Sequence, residues 1–108
     1  MHRHLGPGLL ESTYETCLSR ELFLRGISFE RQVALPVHYL GIAVECGYRL
    51  DLIVGSLVVV EVRAVQKVLP IHKAQLLTYL KLLNLGLGIL INFNVEILRL
   101  GIYRTVLG

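Results

Sequence analysis

Cysteine is scarce in this sequence, which contains only Cys17 and Cys46. The two residues are far apart and form no CxxC pair, so a cysteine-held metal site or a disulfide framework is excluded as the basis of the fold. Two reduced thiols are typical of a cytoplasmic protein, and this is the location that the sequence predicts. Residues 1–8 carry charge without the apolar segment of a secretory signal peptide, which agrees with that expectation.

Long hydrophobic runs are also missing, although 54% of the residues are hydrophobic and only 18% are charged. The best candidate, residues 82–95, is uncharged but includes three asparagines and two glycines. It is also shorter than the roughly 20 residues that cross a bilayer. The sequence therefore predicts no membrane association, and the apolar residues are assigned to buried strands.

Charge of either sign is modest, with a net value of +3 and an isoelectric point near 9.1. This balance is compatible with a polyanionic partner but does not by itself indicate one. The chain contains no repeat, low-complexity tract or linker. Residues 1–108 are therefore predicted to form a single domain.

Hydrophobic periodicity predicts an α/β (α+β) fold, a mixed sheet flanked by helices. Residues 9–25 and 71–85 show helical spacing, and the second of these segments follows a proline suited to a helix start. Extended runs give the order α-β-β-β-α-β with a possible extra edge strand; they span residues 28–39, 42–54, 57–65, 87–93 and 102–107. Short connections predict an antiparallel meander of the first three strands, and the helical crossover predicts that the third and fourth are parallel.

Two acidic residues, Asp51 and Glu61, interrupt otherwise apolar strands. A carboxylate buried without a partner is unfavourable, so each needs a cation, a metal or a salt bridge. Arg63 lies two residues after Glu61 and hence on the same face of its strand. Plain ion pairs, Glu61 with Arg63 or Asp51 with Arg49, meet this need as well as a metal site does.

The turn between these two strands decides whether the two carboxylates share a face. A two-residue turn at 55–56 pairs Asp51 with Val60, whereas a three-residue turn at 55–57 pairs Asp51 with Glu61. A shared site therefore requires an odd loop or a bulge in this hairpin. Gly55 makes such a turn feasible because glycine accepts positive φ.

Three motifs, in this order along the chain, resemble one family. Residues 8–14, Gly-Leu-Leu-Glu-Ser-Thr-Tyr, match the Gly-x-x-Glu-x-x-Tyr motif of the GxxExxY proteins. Asp51, followed by Glu-Val-Arg at 61–63, resembles the PD-(D/E)XK nuclease signature with arginine in place of its final lysine. Residues 75–79 resemble the Gln-x-x-x-Tyr helix motif of recombination-type nucleases. Such proteins usually carry more helix before the first motif, so a truncated N-terminal helical layer is expected.

The resemblance implies a metal-dependent nuclease with a PD-(D/E)XK core. Asp51 and Glu61 would hold Mg²⁺ or Mn²⁺ together with the main-chain carbonyl of Val62, because these cations prefer hard oxygen ligands. The metal would polarise a phosphate oxygen and lower the pKa of a bound water. Glu11 would add a catalytic and metal-binding carboxylate from the first helix. A carboxylate that simply favours the N-terminus of that helix is the alternative for Glu11.

Arg63 is the main departure from the family pattern, and the family places a catalytic lysine at this position. Arginine cannot act as a base because its pKa exceeds about 12, but its charge can stabilise a pentavalent phosphate transition state. Loss of general-base assistance typically lowers a rate by about 10²–10⁴. The sequence thus predicts a slow enzyme.

Three further side chains are assigned supporting roles by the same resemblance: Tyr14, Gln75 and Tyr79. On a helical wheel, Gln75 and Tyr79 border the sheet-facing side of the second helix. This placement suits a role in holding the carboxylates or the substrate. A tyrosine packed in the core explains the pattern of Tyr79 equally well.

The function that this resemblance predicts is a Mg²⁺-dependent phosphodiesterase acting on DNA. Arg49, Lys67 and Lys73 flank the proposed site and are expected to contact nucleic acid phosphates. The alternative is a non-catalytic module, binding nucleic acid or another protein, that retains the nuclease fold.

Overall fold

A computed structural model describes residues 6–35, 37–44 and 48–107. Its helices are α1 (Glu11–Leu24), α2 (Pro70–Leu83) and a short 3₁₀ helix (Leu98–Gly101). Its strands are β1 (Phe29–Ala34), β2 (Val37–Tyr39), β3 (Ile42–Val44), β4 (Arg49–Val54), β5 (Val58–Arg63), β6 (Leu87–Asn92) and β7 (Ile102–Val106). Within these ranges, no helix has both the length and the apolar character needed to cross a membrane.

The main sheet has five strands in the order β1-β4-β5-β6-β7. All neighbours are antiparallel except β5 and β6, which are parallel and are connected through α2. The predicted mixed sheet with flanking helices is therefore confirmed, as are the parallel pair after the crossover and the extra edge strand. Both predicted helices agree with α1 and α2 to within two residues at each end.

The two long strands predicted at 28–39 and 42–54 are each divided in two, which corrects the sequence-based assignment. Their inner parts, β2 and β3, pair with each other in a separate two-stranded sheet, while β1 and β4 belong to the main sheet. Pro36 separates β1 from β2 in the sequence, and proline cannot donate a ladder hydrogen bond. Residue 36 itself and residues 45–47 lie outside the described residues.

The hairpin between β4 and β5 has the odd loop that a shared carboxylate site requires. Val54 pairs with Val58, so the turn contains three residues, Gly55 to Leu57. Gly55 and Ser56 both have φ of 59°, in the left-handed region that glycine adopts readily. The resulting register brings Asp51 opposite Glu61.

The hydrophobic core lies on both faces of the sheet. One cluster packs α2 against the sheet and comprises Leu35, Leu50, Val59, Leu76, Tyr79, Leu80 and Leu90. The other packs α1 against the sheet and comprises Tyr14, Val62 and Phe93. Val59 and Val62 lie three residues apart on β5, so strand alternation directs them to opposite faces. The end of β5 is therefore held from both sides.

Gly101 marks the tightest backbone contact among the described glycines. A Cβ added at this position would lie 2.0 Å from the carbonyl oxygen of Asn92, which is main chain and cannot rotate away. We therefore expect Gly101→Ala to lower the free energy of unfolding by roughly 1–3 kcal/mol, as overpacking does elsewhere. Urea unfolding followed by circular dichroism measures the change.

Gly86→Ala is the matched control for this substitution. Its added Cβ would lie 3.9 Å from the nearest atom, the carbonyl oxygen of Leu107, which is an ordinary contact. We expect this variant to be clearly more stable than Gly101→Ala. Equal stabilities of the two alanine variants would show that the backbone does not approach Gly101 as closely as described.

Candidate active site

Asp51 lies where the strand β4 loses its regular pairing with both neighbours. The β1–β4 ladder continues on either side of the Gln32–Asp51 position but omits that pair. The β4–β5 ladder ends one residue short of the Asp51–Glu61 position. In a regular strand, side chains three residues apart point to opposite faces. Here Leu50 and Ile53 both pack against the cluster under α2, so the alternation of side chains shifts by one residue near Asp51. The strand is thus kinked at Asp51, as strands often are beside active sites.

Gln32 supplies the matching distortion in β1. Its φ of 50° places a non-glycine residue in the left-handed region, which costs about 1–3 kcal/mol and persists only where surrounding contacts hold it. Its side-chain amide donates a hydrogen bond to Glu15 Oε1 at 2.6 Å, and its carbonyl accepts one from Arg49 Nη1 at 3.3 Å. The distorted backbone at Gln32 is therefore held by Glu15 on α1 and by Arg49 on β4.

The carboxylates of Asp51 and Glu61 take the place of the missing ladder bonds. Asp51 Oδ2 accepts a hydrogen bond from the main-chain N–H of Val62 at 2.7 Å. Glu61 Oε1 accepts one from the main-chain N–H of Asp51 at 3.3 Å. Each carboxylate therefore reaches across to the other strand, and the two side chains are held close together.

Arg63 lies between the two carboxylates. Its Nη1 is 3.4 Å from Asp51 Oδ2, 3.2 Å from Glu61 Oε2 and 2.9 Å from the main-chain oxygen of Val62. Its Nη2 is 3.5 Å from Gln75 Oε1 on α2. The side chains of Arg63, Asp51 and Glu61 are only 17%, 21% and 3% exposed. The ion pairs are therefore poorly screened by water, unlike ordinary surface pairs.

Burial makes both carboxyl groups weaker acids. Burial is the largest cause that raises the pKa of Glu61 to about 7; the charge of Asp51 acts in the same direction, and Arg63 opposes it. Burial also raises the pKa of Asp51, against the hydrogen bond from Val62 and the charge of Arg63. Neighbouring carboxyl groups with raised pKa values are typical of functional sites and also occur in structural ion-pair networks.

The acidic residue predicted on the first helix, Glu11, is exposed at the start of α1. Its Oε2 accepts a hydrogen bond from the main-chain N–H of Ala64 at 3.4 Å, immediately after Arg63. A shallow cleft of about 350 Å³ adjoins it, lined by Leu9, Leu10, Glu11, Ser12 and Ala64. Glu11 therefore lies beside the end of β5 and contacts the residue after Arg63, not the two carboxylates themselves.

Glu15 is the acidic residue that sequence reasoning missed. It is 94% buried and pairs with Arg31 at 2.8 Å, and its charge adds to burial, the largest cause, in raising the pKa of Asp51. Its position four residues after Glu11 puts the two acids on one face of α1. That spacing was the available signal, but it does not tell which of the two acids faces Asp51.

Gln75 and Tyr79 are brought to the site from α2, whereas Tyr14 is not. Gln75 contacts the Arg63 guanidinium, and Tyr79 lies close enough to Glu61 for that charge to raise its pKa, after burial as the larger cause. Both line an open cleft of about 230 Å³ with Tyr48, Ile71, Ala74 and Thr78.

Tyr14 belongs to the core beneath the site. Its ring stacks on Phe93 with centroids 4.6 Å apart, and its hydroxyl donates to the carbonyl of Gly6 and accepts from the N–H of Leu9. These contacts fasten the segment before α1. The role that the structure supports for Tyr14 is therefore structural, by holding α1 against Val62 and Phe93.

The three predicted phosphate-binding residues are all exposed but lie in different places. Arg49 opens β4, two residues before Asp51, and Lys67 lies in the loop after β5. Lys73 lies instead over the ring of Tyr103 on the edge strand β7, with Nζ 4.4 Å from the ring centroid. Because β7 is two strands away from β5, Lys73 is the least suited of the three to contact a phosphate at the carboxylates.

Asn92 is a second residue that sequence reasoning missed, although it is a polar residue in an apolar strand, as Asp51 and Glu61 are. It is 97% buried, and its side-chain amide bonds both the N–H and the carbonyl of Val65 at 3.0 Å. The N–H of Phe93 donates to the carbonyl of Arg63 at 2.8 Å. The end of β6 thereby fixes the chain on which Arg63 is carried.

Comparison with known proteins identifies the class. The family model of the PD-(D/E)XK nuclease superfamily matches residues 1–105, and the chain belongs to that superfamily. No curated protein and no solved structure matches the chain. Nucleases of this superfamily generally use divalent metals and act on nucleic acid. The narrower resemblance to the GxxExxY proteins stays a prediction that rests on residues 8–14.

The oxygens of Asp51, Glu61 and Val62 are of the kind that binds a hard divalent cation, but only two of them belong to side chains. In the part of the chain that the structure describes, no three Asp, Glu, His or Cys side chains are arranged to hold a metal. The carbonyl oxygen of Val62 would add a third hard ligand to the oxygens of Asp51 and Glu61, since all three contact the same guanidinium nitrogen. Mg²⁺ is commonly held by one or two carboxylates and keeps several waters.

The raised pKa of Glu61 predicts that the metal-free protein loses stability as pH rises. The folded protein binds this proton with a pKa of about 7, against 4.5 for an ordinary glutamate, so it carries more protons than the unfolded chain between these values. The stabilisation is complete below about pH 4.5 and is lost as pH passes 7. The share of Glu61 is on the order of 3 kcal/mol. Urea unfolding in EDTA at several pH values measures it.

Glu61→Gln isolates this contribution because the amide has the same size and does not titrate. We expect its free energy of unfolding to vary less with pH than that of the native protein across this window. Glu96→Gln changes an exposed glutamate and should leave the pH dependence of the native protein intact. Identical pH profiles for native protein and Glu61→Gln would contradict the raised pKa.

Proposed function

We propose that the protein is a metal-dependent phosphodiesterase that cuts DNA, with Mg²⁺ or Mn²⁺ held by Asp51, Glu61 and the carbonyl of Val62. The observation that carries this proposal is the convergence of one oxygen from each of these groups on a single point, where Arg63 Nη1 lies. Membership in a nuclease superfamily supports the reaction class. DNA is the proposed nucleic acid because residues 75–79 resemble the helix motif of recombination-type nucleases.

The residues around the carboxylates would divide the remaining work. A bound divalent cation would polarise a phosphate oxygen and lower the pKa of a water molecule. Arg63 cannot accept a proton, so its part is to place positive charge beside the phosphate in the transition state. On the side of α1, Glu11 and Glu15 would supply further carboxylates near the end of β5. On the side of α2, Gln75 and Tyr79 would hold the Arg63 and Glu61 side chains. Without a lysine, the enzyme is expected to be slow.

Exposed cations beside the site would hold the DNA backbone. Arg49 and Lys67 are both exposed and adjoin the strands that carry Asp51 and Arg63. The net charge of +3 gives only weak general attraction for a polyanion, so binding should be weak. A cytoplasmic location is part of the proposal; Cys17 is a free thiol, as expected there.

A second candidate function is a nucleic-acid-binding or protein-binding module that does not cut. One observation favours it: Arg63 pairs with both carboxylates by itself, so the fold does not require a metal to hold them together. The two candidates differ in whether Asp51 and Glu61 confer metal-dependent cleavage.

Cleavage of supercoiled plasmid by the purified protein tests the main proposal. We expect slow nicking with Mg²⁺ or Mn²⁺, none in EDTA, and a loss of about 10² or more in rate for Asp51→Asn, since the carboxylate that binds the metal is removed. Glu96→Gln removes an exposed carboxylate from the loop between β6 and the 3₁₀ helix and should cut like the native protein. Cleavage that survives Asp51→Asn would come from a contaminating nuclease.

Arg63→Lys sharpens the same assay, because lysine keeps the charge and restores the family residue. If only the missing base limits the rate, cleavage should rise by a factor toward the lower end of the roughly 10²–10⁴ range for such groups. Equal rates would show that the position supplies charge alone. No cleavage by either protein with both metals would favour the non-catalytic module.

DNA binding without metal should weaken as salt concentration rises, because each phosphate contact releases counterions. With two or three such contacts, Kd for a short duplex should rise roughly 10- to 40-fold between 50 and 200 mM salt. Fluorescence anisotropy in EDTA measures this slope. The double variant Arg49→Gln, Lys67→Gln should reduce the slope, and Lys81→Gln, an exposed lysine of α2, should not. A Kd that does not change with salt would contradict a polyanionic partner.

A further inference from the structure

The Arg63 guanidinium contacts the same three oxygens that the proposed function assigns to the metal. Nη1 lies within 3.4 Å of Asp51 Oδ2, Glu61 Oε2 and the carbonyl oxygen of Val62. Because these three oxygens all carry negative charge or partial negative charge, the position of Nη1 is one that favours a cation. Two cations cannot occupy this position together, because at such short range their repulsion in a buried site is large.

We propose that Arg63 is a built-in competitor of the divalent metal: its guanidinium holds the Asp51, Glu61 and Val62 oxygens together in the metal-free protein and must leave them before the metal binds. This inference rests on the proposed function, because it concerns the same oxygens. It adds that the affinity for metal is set by the release of Arg63 as well as by the ligands.

The surroundings of Arg63 leave the guanidinium a way out. Its other terminal nitrogen, Nη2, contacts Gln75 Oε1 at 3.5 Å, at the outer limit of a hydrogen bond. Gln75 lines the open cleft next to Tyr48 and Tyr79. A rotation of the arginine side chain toward this cleft would keep the Gln75 contact and expose the three oxygens. The released charge would then lie beside the cleft, where it can meet a phosphate.

Lysine at this position would compete less well, for a reason of shape. The planar guanidinium presents five N–H donors and can contact two carboxylates, a carbonyl and an amide at once, whereas an ammonium presents three donors at one point. Replacing the family lysine by arginine therefore strengthens the metal-free ion pairs. The same replacement weakens the binding of metal.

Mn²⁺ binding to the whole protein, measured by the electron paramagnetic resonance signal of free Mn²⁺ near pH 8, tests the proposal without any cleavage assay. Arg63→Gln should bind Mn²⁺ roughly tenfold or more tightly than the native protein, because its three charge-assisted hydrogen bonds no longer have to be broken. Arg63→Lys should fall between the two. Circular dichroism checks that each variant is folded; if Arg63→Gln is not, the Arg63→Lys result decides.

Arg104→Gln is the matched control, because it removes one exposed guanidinium from β7, two strands away from β5. The Mn²⁺ affinity of this variant should stay within about twofold of the native value, and any small change measures the effect of charge at a distance. Equal gains in affinity for Arg104→Gln and Arg63→Gln would overturn the competition, since charge alone would explain both. Adding Asp51→Asn to Arg63→Gln should remove the tight binding.

The failures of this inference and of the proposed function are distinguishable. Native protein that binds Mn²⁺ as tightly as Arg63→Gln and Arg63→Lys would overturn the competition and leave the metal-dependent function standing. No Mn²⁺ binding by any of the three proteins would overturn both, because the oxygens would then fail to hold a metal even without the guanidinium.

Discussion

Two carboxylates cannot remain ionised side by side in a mostly buried part of a sheet unless a cation lies between them. Asp51 and Glu61 are in this situation, since burial raises the pKa of both and each acts on the other. Arg63 supplies the positive charge in the described structure. The raised pKa of Glu61 shows that one arginine offsets the burial only in part. The end of β5 thus retains an attraction for a further or a stronger cation, and this attraction is the physical basis of the metal site that we propose.

The kink at Asp51 is what makes the convergence possible. In a regular antiparallel pair the main chains of β4 and β5 would bond to each other, and the side chains would stand perpendicular to the sheet. Here the two carboxylates accept main-chain N–H groups instead. The distortion is shared with β1, where Gln32 adopts a left-handed conformation, and it is fixed by Glu15 on α1. The strained backbone of Gln32 is therefore held by α1, and α1 is in turn held against the sheet by the packing of Tyr14 on Val62 and Phe93.

Local patterns in the sequence predicted the elements, the parallel crossover and the shared face of Glu61 and Arg63, because these depend on periodicity and strand alternation. The meeting of Asp51 with Glu61 followed from the family resemblance, since local patterns left open whether the turn has two or three residues. They did not predict the division of the long strands or the kink at Asp51, which depend on contacts between segments far apart in the chain. Glu15 was missed for the same reason. Two acids four residues apart share a helix face, but only the packing of α1 on the sheet decides which of them meets Asp51. The supporting role predicted for Tyr14 stays a prediction; the structure shows its ring fully buried, packed with Val62 and Phe93.

The identity of the residue at position 63 links stability to function. A guanidinium that satisfies two carboxylates and a carbonyl removes much of the unfavourable energy of burying them, and it does so without any metal. In the proposed function the metal would then bind to a site that already holds a positive charge, and part of its binding free energy would be spent on releasing the arginine. A lysine at this position would leave the metal-free carboxylates less well satisfied and the metal correspondingly better bound. The same chemical difference that denies this chain a catalytic base therefore makes its metal-free fold more stable. The effect of residue 63 on metal affinity can be separated from its effect on proton transfer. Metal affinity depends on which oxygens the side chain at position 63 contacts, whereas proton transfer depends on the pKa of that side chain.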